Sequence, residues 1–309
     1  MEKDLLSIIT PCYNGETYLH RLCDSILEQT YPYVEFIFVN DGSNDRTEEI
    51  ILSYESKFIE RGYSFIYIYQ ENGGQAKALN QGLTVYRGEY LTWPDSDDFY
   101  LEETALEIMV NSLKNSDDKI GTVRSFATMF AERSFKRNGS LANKTKEDVY
   151  NLFEDCLLER DFWFAPICYM AKTCHVKKYV GGEVEVNRIG QNFQMFIPLF
   201  CYKDTITIKR DLVGYLVREA SHSRDLGDFN KRIERFTAIE ALKERLVTKC
   251  GLKERERINR EVKRVTLKNK ILLFVEYNMF VKSLKLLMAN PVLLIDFRFI
   301  KSYLYFVKK

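Results

Sequence analysis

The feature that most limits what this chain can fold into is the alternation of short apolar runs with amphipathic stretches at its N-terminal end. Residues 5–10, 35–40, 65–70 and 90–93 are compact runs rich in Ile, Val, Phe and Tyr, residues that favour a pleated, buried surface. Between them the spacing changes to that of helices. Over residues 16–29, Leu19, Leu22, Cys23 and Ile26 fall on one face. Asp45, with Glu48 three residues later, marks a helix start that turns Ile50, Ile51, Tyr54 and Phe58 inward. Gly73-Gly74 predicts a turn, and residues 76–86 a third helix. Parallel strands need crossover connections, so this order predicts an α/β, Rossmann-like fold: a mostly parallel sheet flanked by helices.

Ligands of such sheets gather beyond the carboxyl ends of the strands. Three polar clusters stand there: Cys12-Tyr13-Asn14 after the first strand, Asp41-Gly42-Ser43 after the second, and Asp95-Ser96-Asp97-Asp98 after the fourth. Alternate carboxylates leaving a buried strand point into one cleft, and hard divalent cations such as Mg2+ or Mn2+ prefer such oxygen ligands. A cation there neutralises a diphosphate leaving group. Standing alone, the same acidic run reads more simply as a solvated loop capping the next helix. Asp41 suits a base N–H or a ribose hydroxyl, or equally the capping of its own turn. Lys77, in the first turn after Gly73-Gly74, is placed for a phosphate, which helix N-termini already favour. On an ordinary amphipathic helix it is simply solvated.

At 309 residues and 46% hydrophobic side chains, the chain accommodates one large α/β domain and an appendage. Its formal net charge of +1 argues against a surface built for nucleic acid. The seven cysteines form no CxxC pair, which disfavours a zinc ribbon, and their odd, scattered set suggests a reducing compartment. The N-terminus lacks a secretory pattern and no apolar stretch is long enough to span a bilayer, so a cytoplasmic protein is expected. Beyond residue 120 the pattern loosens. It predicts a strand at 121–131, a helix at 145–158, an aromatic loop at 162–166 and a short helix or buried segment at 190–202. Two short strands follow within 205–217, and helix from about Asp228 to the end.

Taken in order, Ser7-Ile8-Ile9-Thr10-Pro11-Cys12-Tyr13-Asn14, Val39-Asn40-Asp41-Gly42-Ser43-Asn44-Asp45, the run from Gly73 to Asn80, Gly88-Glu89-Tyr90 and Asp95 to Asp98 closely resemble the family 2 glycosyltransferases of the GT-A fold. The resemblance is strong over about residues 5–110 and continues more weakly to about 225. It implies a GT-A domain over 1–225, with a nucleotide-binding half to about 115 and an acceptor half beyond it, followed by a helical region over 226–309. It further implies that Pro11 and Tyr13 line a base pocket with Asn14 beside them, that Asp41 contacts the base and Asp95 the ribose, and that Asp97 holds Mn2+ or Mg2+ under the diphosphate. Family members invert the anomeric centre, and a carboxylate base assists the acceptor hydroxyl. The expected donor is a nucleotide sugar, most simply a UDP-sugar, and the acceptor a glycan or lipid-linked glycan of a surface polysaccharide or capsule.

The chain departs from the family where its base is expected. The usual Glu-Asp pair at a helix start is replaced by Gly190-Gln191-Asn192-Phe193-Gln194, and an amide cannot accept a proton at neutral pH. A subgroup of cell-surface polysaccharide transferases resembles this pattern and the Ser221-His222-Ser223 stretch. Gln191, Asn192 and Trp163 are then acceptor-side residues. Glu183 and Glu185, after Gly181-Gly182, are the nearest candidate bases, although a solvated loop explains them as well. His222 is either a further metal ligand or a structural histidine. At the C-terminus, apolar runs are interspersed with lysines and one arginine, and Glu276 and Asp296 are the only acids after Lys270. Such a segment either lies peripherally on the anionic inner face of a cell membrane or packs as helices on the domain or on a second copy in an oligomer. Two other functions fit the same features: a non-catalytic sugar-nucleotide-binding or scaffold subunit, and a nucleotidyltransferase, which lacks its expected glycine-rich basic signature here.

Overall fold

The computed structural model describes residues 1–142, 148–187, 189–218 and 228–308. They fall into two compact units, Met1–Glu219 and Ala220–Lys309.

The first unit is built on a ten-stranded sheet. Its strands are β1 (Glu2–Cys12), β2 (Val34–Asn40), β3 (Ser64–Tyr69), β4 (Gly88–Thr92), β5 (Phe99–Tyr100), β6 (Ile120–Ala131), β7 (Arg137–Leu141), β8 (Val149–Tyr150), β9 (Tyr169–Lys172) and β10 (Asp204–Val217). The main path runs β3-β2-β1-β4-β9-β6-β10-β5, with β7 paired to β6 and β8 to β10. β1 to β4 are parallel, joined through α1 (Leu19–Leu27), α2 (Thr47–Ser53), α3 (Glu55–Glu60) and α4 (Gln75–Val85). Farther along lie α5 (Ala105–Lys114), α6 (Phe153–Leu158), α7 (Thr173–His175) and α8 (Gln191–Tyr202). β9 runs antiparallel between β4 and β6, whereas β10 is parallel to β6.

β2 is buried at every position, and so reads as a continuous apolar run rather than an alternating one. Phe36, Ile37, Phe38 and Val39 are each 0% exposed, and burying side chains of this size contributes about 1.5–3 kcal/mol apiece. The exception in that strand is Glu35. Its carboxylate accepts hydrogen bonds from Ser7 Oγ, from the Arg87 and Gly88 N–H groups at 2.5 and 3.2 Å, and from Arg87 Nε at 3.1 Å. A buried charge satisfied in this way ties the amino ends of β1, β2 and β4 together, leaving the opposite edge of the sheet for ligands.

Three expectations for the first unit need correcting. β1 does not stop before Pro11. It runs to Cys12, because by Pro11 the strand pairs with β2 alone and the missing N–H costs no bond to β4. The helix expected over 145–158 begins only at Phe153, with β8 before it; residues 145–147 lie outside the described residues. The two strands expected within 205–217 are one, β10, whose register slips between Ile208 and Asp211 where Lys209 and Arg210 form a bulge.

In the second unit, α9 (Phe229–Lys249) starts at Asp228, whose carboxylate caps the Lys231 N–H at 3.0 Å. α10 (Arg255–Glu276), α11 (Phe280–Ala289) and α12 (Phe297–Lys308) follow, with a 3-10 turn at Pro291–Ile295 interrupting the continuous helix expected there. Ile271, Leu287, Leu293 and Phe299 make a small core. Among the described residues, no helix is long and apolar enough to cross a membrane.

Candidate active site

The three strand-end clusters come together, and hydrogen bonds fasten them to one another. The Asp41 N–H donates to the Cys12 carbonyl at 2.8 Å, and the Cys12 thiol meets Ser96 in the acidic run. Asn14 adopts a left-handed φ of 53°, which asparagine tolerates better than most residues. Its N–H donates to Ser43 Oγ at 3.0 Å and its Oδ1 accepts from the Asn44 N–H at 2.9 Å. The next two N–H groups, of Gly15 and Glu16, donate to Thr47 Oγ1 at 2.8 Å and Asp45 Oδ2 at 3.1 Å. The loops after β1 and β2 are thus zipped together. Tyr13 stands 47% exposed at the rim, while Pro11 lies buried within β1 opposite Val39.

Asp41 is 2% exposed. Oδ1 accepts from Gln70 Nε2 at 2.6 Å and the Gly73 N–H at 2.8 Å, and Oδ2 from the Gly74 N–H at 2.9 Å. Neither a free base contact nor a cap on its own turn describes this residue fully: it anchors the neighbouring Gly73-Gly74 loop. A carboxylate offers about four lone-pair sites, and three of them are taken here. The close approach requires glycine at position 42, where φ is +70° and a Cβ would lie 2.6 Å from the Asn72 nitrogen. Lys77, in the first turn of α4, is half-buried with its side chain folded against Gly73.

The acidic run alternates. Asp95 accepts from Gln75 Nε2 at 2.5 Å, and Gln75 Oε1 in turn accepts from Gln191 Nε2. Asp97 is paired with Arg218 at 3.2 Å, and that guanidinium lies 4.7 Å over the Tyr18 ring and 3.9 Å from Glu132. Asp98 turns inward, 1% exposed, and accepts the Leu216 N–H at 3.0 Å, fixing the end of β10. Burial, then the charge of Asp97, pushes the Asp95 carboxyl up to about 7, with Gln75 and Arg218 pulling the other way. Burial also raises Asp97 against the opposing pull of Arg218, and burial with its two neighbouring carboxylates raises Asp98 well above the usual range. A cation bound beside them would offset both the burial and the mutual repulsion of these carboxylates.

The donor chemistry of Asp95 and Asp97 fits a hard divalent ion. Among the described residues, however, no three His, Cys, Asp or Glu side chains converge as a ligand set. Water and phosphate oxygens would have to complete the shell, as Mg2+ and Mn2+ commonly allow. His222, the second expected ligand, lies outside the described residues.

The segment expected to face an acceptor is assembled differently. Gly190, with φ of 82°, leads into α8, whose first residues are Gln191 and Asn192. The Asn192 side-chain oxygen is buried and has no hydrogen-bond partner. Glu183 and Glu185 are exposed on the preceding loop. Two amides pin that loop: Asn80 exchanges two bonds of 2.8 Å with the Val184 backbone, and Gln194 exchanges bonds of 2.7 and 3.1 Å with the Glu185 backbone. Trp163 is 7% exposed, its ring covered by the Arg124 guanidinium at 4.1 Å. Sequence reasoning gave no role to Arg218, Gln75, Asn80 or Gln194. The last three stand inside motifs it had singled out, and Arg218 closely precedes the Ser221-His222-Ser223 stretch.

Residues 7–170 match the sequence model of Glycosyl transferase family 2. An uncharacterized glycosyltransferase of Rickettsia typhi is 45% identical over 115 residues, 37% of this chain and 34% of that protein. Glycosyltransferase GlyA of Streptococcus pneumoniae is 29% identical over 225 residues, 72% of this chain and 32% of that protein. The chain thus matches about a third of the length of these relatives. Among solved structures, S. aureus TarS 1–349 in complex with UDP-GlcNAc superposes with a TM-score of 0.66 at 18% identity, covering 91% of this chain and 78% of that one. The mannosyltransferase PcManGT of Pyrobaculum calidifontis, in complex with GDP-Man and Mn2+, gives a TM-score of 0.52 at 16% identity over 97% of this chain and 83% of that one.

Proposed function

This chain belongs to glycosyl transferase family 2 and has the GT-A fold, and from that premise we propose that it is an inverting, metal-dependent glycosyltransferase moving a sugar from a nucleotide-sugar donor to a hydroxyl of a glycan or lipid-linked acceptor. The observation that carries the reading is the fastening of the β1, β2 and β4 loops into one edge bearing Tyr13, Asp41, Asp95 and Asp97. Solved structures of the same fold hold UDP-GlcNAc and GDP-Man, which supports a nucleotide-sugar donor here. A uridine base is the first choice. Surface-polysaccharide assembly at the inner face of a membrane is the setting that suits such an acceptor.

In this reading Tyr13 offers its exposed ring to the base, with Pro11 and Asn14 shaping the loop behind it, while Asp41 uses its remaining lone pair and Asp95 meets the ribose. Asp97, with Asp95, would hold Mn2+ or Mg2+; when bound, that ion supplies positive charge for the departing diphosphate. Lys77 at the head of α4 adds a cation for the same phosphates. The acceptor oxygen attacks the anomeric carbon as the bond to the diphosphate oxygen breaks. The electron pair leaves with the nucleoside diphosphate, and the hydroxyl proton passes to a carboxylate. Glu185 is the leading base and Glu183 its alternative, because Asn80 and Gln194 pin the loop that carries both. Asn192 orients the hydroxyl through its unpartnered oxygen.

A panel of sugar nucleotides incubated with Mn2+ and glycan acceptors tests the reading. Release of nucleoside diphosphate with formation of an inverted glycoside is the expected result. Donor binding without turnover on any acceptor would favour a non-catalytic binding subunit, the reading that amides at Gln191 and Asn192 keep open.

A further inference from the structure

The second unit is unlike the first in both charge and surface. Residues 228–309 hold 20 of the 45 basic side chains but 9 of the 44 acidic ones, so they form a cationic body within a nearly neutral chain. Their apolar residues are also unusually exposed. Among the described residues, 12 of the 22 large exposed hydrophobics lie between Tyr277 and Val307. In α11, Val281, Leu284 and Met288 stand 69%, 50% and 71% exposed at successive helical spacings of three and four. At the other end of the turn, Ile295 and Phe297 are 82% and 79% exposed.

These helices do not lack an inner face. Leu287, Leu293 and Phe299 already pack with Ile271 of α10. Helices that are apolar on a second, outward side are covered by something in use. Charge decides what covers this one. Lys282 and Lys285 are exposed beside the α11 stripe, and Arg298 and Lys301 are exposed on α12. The one acid in this stretch, Asp296, is taken by Lys268 of α10 and by the Phe299 N–H at 3.0 Å. An acidic counterpart is therefore missing from the surface itself and must come from the partner. α11 and α12 are 10 and 12 residues long, too short to span a bilayer but suited to lie in its interface.

We propose that the outward face of α11, the Pro291–Ile295 turn and the start of α12 docks on an anionic lipid surface. Val281, Leu284, Met288, Ile295 and Phe297 enter the acyl boundary, and the flanking lysines and Arg298 meet lipid phosphates. This deepens the membrane setting given above, and its test is independent of sugar transfer.

The experiment is co-sedimentation of the full chain with vesicles of phosphatidylcholine alone or mixed with phosphatidylglycerol. The expected result is binding to the anionic vesicles that weakens with salt and is slight on the neutral ones. Ile295→Ser with Phe297→Ser should reduce partitioning by at least about tenfold, and Lys282→Gln with Lys285→Gln by about 25-fold, fivefold for each charge. All four residues are exposed, so the variants should melt at the parent temperature and retain transfer to a water-soluble acceptor. Wild-type protein that ignores anionic vesicles, or variants that bind them as wild type does, would overturn the proposal. So would a concentration-dependent dimer, seen by sedimentation velocity, that the Ile295 and Phe297 changes dissolve, since a second copy would then cover this face. Vesicle binding by a chain with no transferase activity would sink the enzyme reading and leave this surface standing.

Discussion

The proposed donor and acceptor sides of the site are built differently: on the donor side, parallel strands deliver their loops to one edge, and main-chain N–H groups of one loop find side-chain oxygens of the next. On the acceptor side, Glu183 and Glu185 ride on an exposed loop that two side-chain amides hold in place. The donor side resembles a preformed cradle whose geometry the sheet dictates. The acceptor side is an attachment made by residues distant in sequence, such as Asn80 and Val184. Such a contrast suits a proposed enzyme that meets a common nucleotide group on one side and a particular acceptor on the other.

The change that should cost most is on the donor side. Asp97→Asn removes a charged oxygen ligand and breaks the pair with Arg218. Turnover should fall at least about a thousandfold, in line with the several kcal/mol that metal charge stabilisation supplies. The melting temperature should change little, since Asp97 faces the cleft rather than the core. Full activity in the variant, with or without added metal, would break the comparison by removing the ion from the donor side.

A smaller loss is expected across the cleft. Glu185→Gln should lower turnover about a hundredfold, the low end of general-base contributions, with donor affinity unchanged. Glu183→Gln is the paired measurement, and near-normal turnover in both variants would move the base away from this loop. Activity gained by Asn192→Asp would show that the head of α8 still occupies the base position.

How much of this was legible in the sequence follows the same line. The β1 to β4 scaffold and the clusters at Asp41 and Asp95–Asp98 could be read because each cluster is continuous in sequence and follows directly on a buried strand. Arg218 could not be read as the partner of Asp97, because their separation of 121 residues leaves no local pattern. Nor could the slip in β10 at Lys209 and Arg210: it moves the buried face from Thr205 and Thr207 to Leu212 and Leu216, a change of phase that two exposed basic residues do not announce. Asp41 shows a third kind of limit. Its place after β2 leaves a ligand contact and a cap on its own turn equally open, and its hold on Gly73 and Gly74 depends on where another loop lies.

That hold gives Asp41 a second, structural duty that substitution exposes. Asp41→Ala leaves Gly73 and Gly74 without their acceptor, and hydrogen bonds to a charged group are worth about 1.5–3 kcal/mol each. Donor affinity should fall about tenfold or more, and the melting temperature should fall with it by several degrees. Lost affinity at an unchanged melting temperature would mean that Asp41 serves the ligand and not the loop. Lost stability with normal affinity would mean the reverse.

The edge formed by β1, β2 and β4 is proposed to bind a nucleotide sugar through a divalent ion held at Asp97. The most direct measurement is calorimetric titration of the wild-type chain and Asp97→Asn with UDP-sugars, with Mn2+ present and with the ion chelated. Saturable binding by the wild type that weakens sharply on chelation is expected, with weak binding by the variant under both conditions. Equal affinity in all four titrations, or no binding of any nucleotide sugar by the folded wild-type chain, would contradict it.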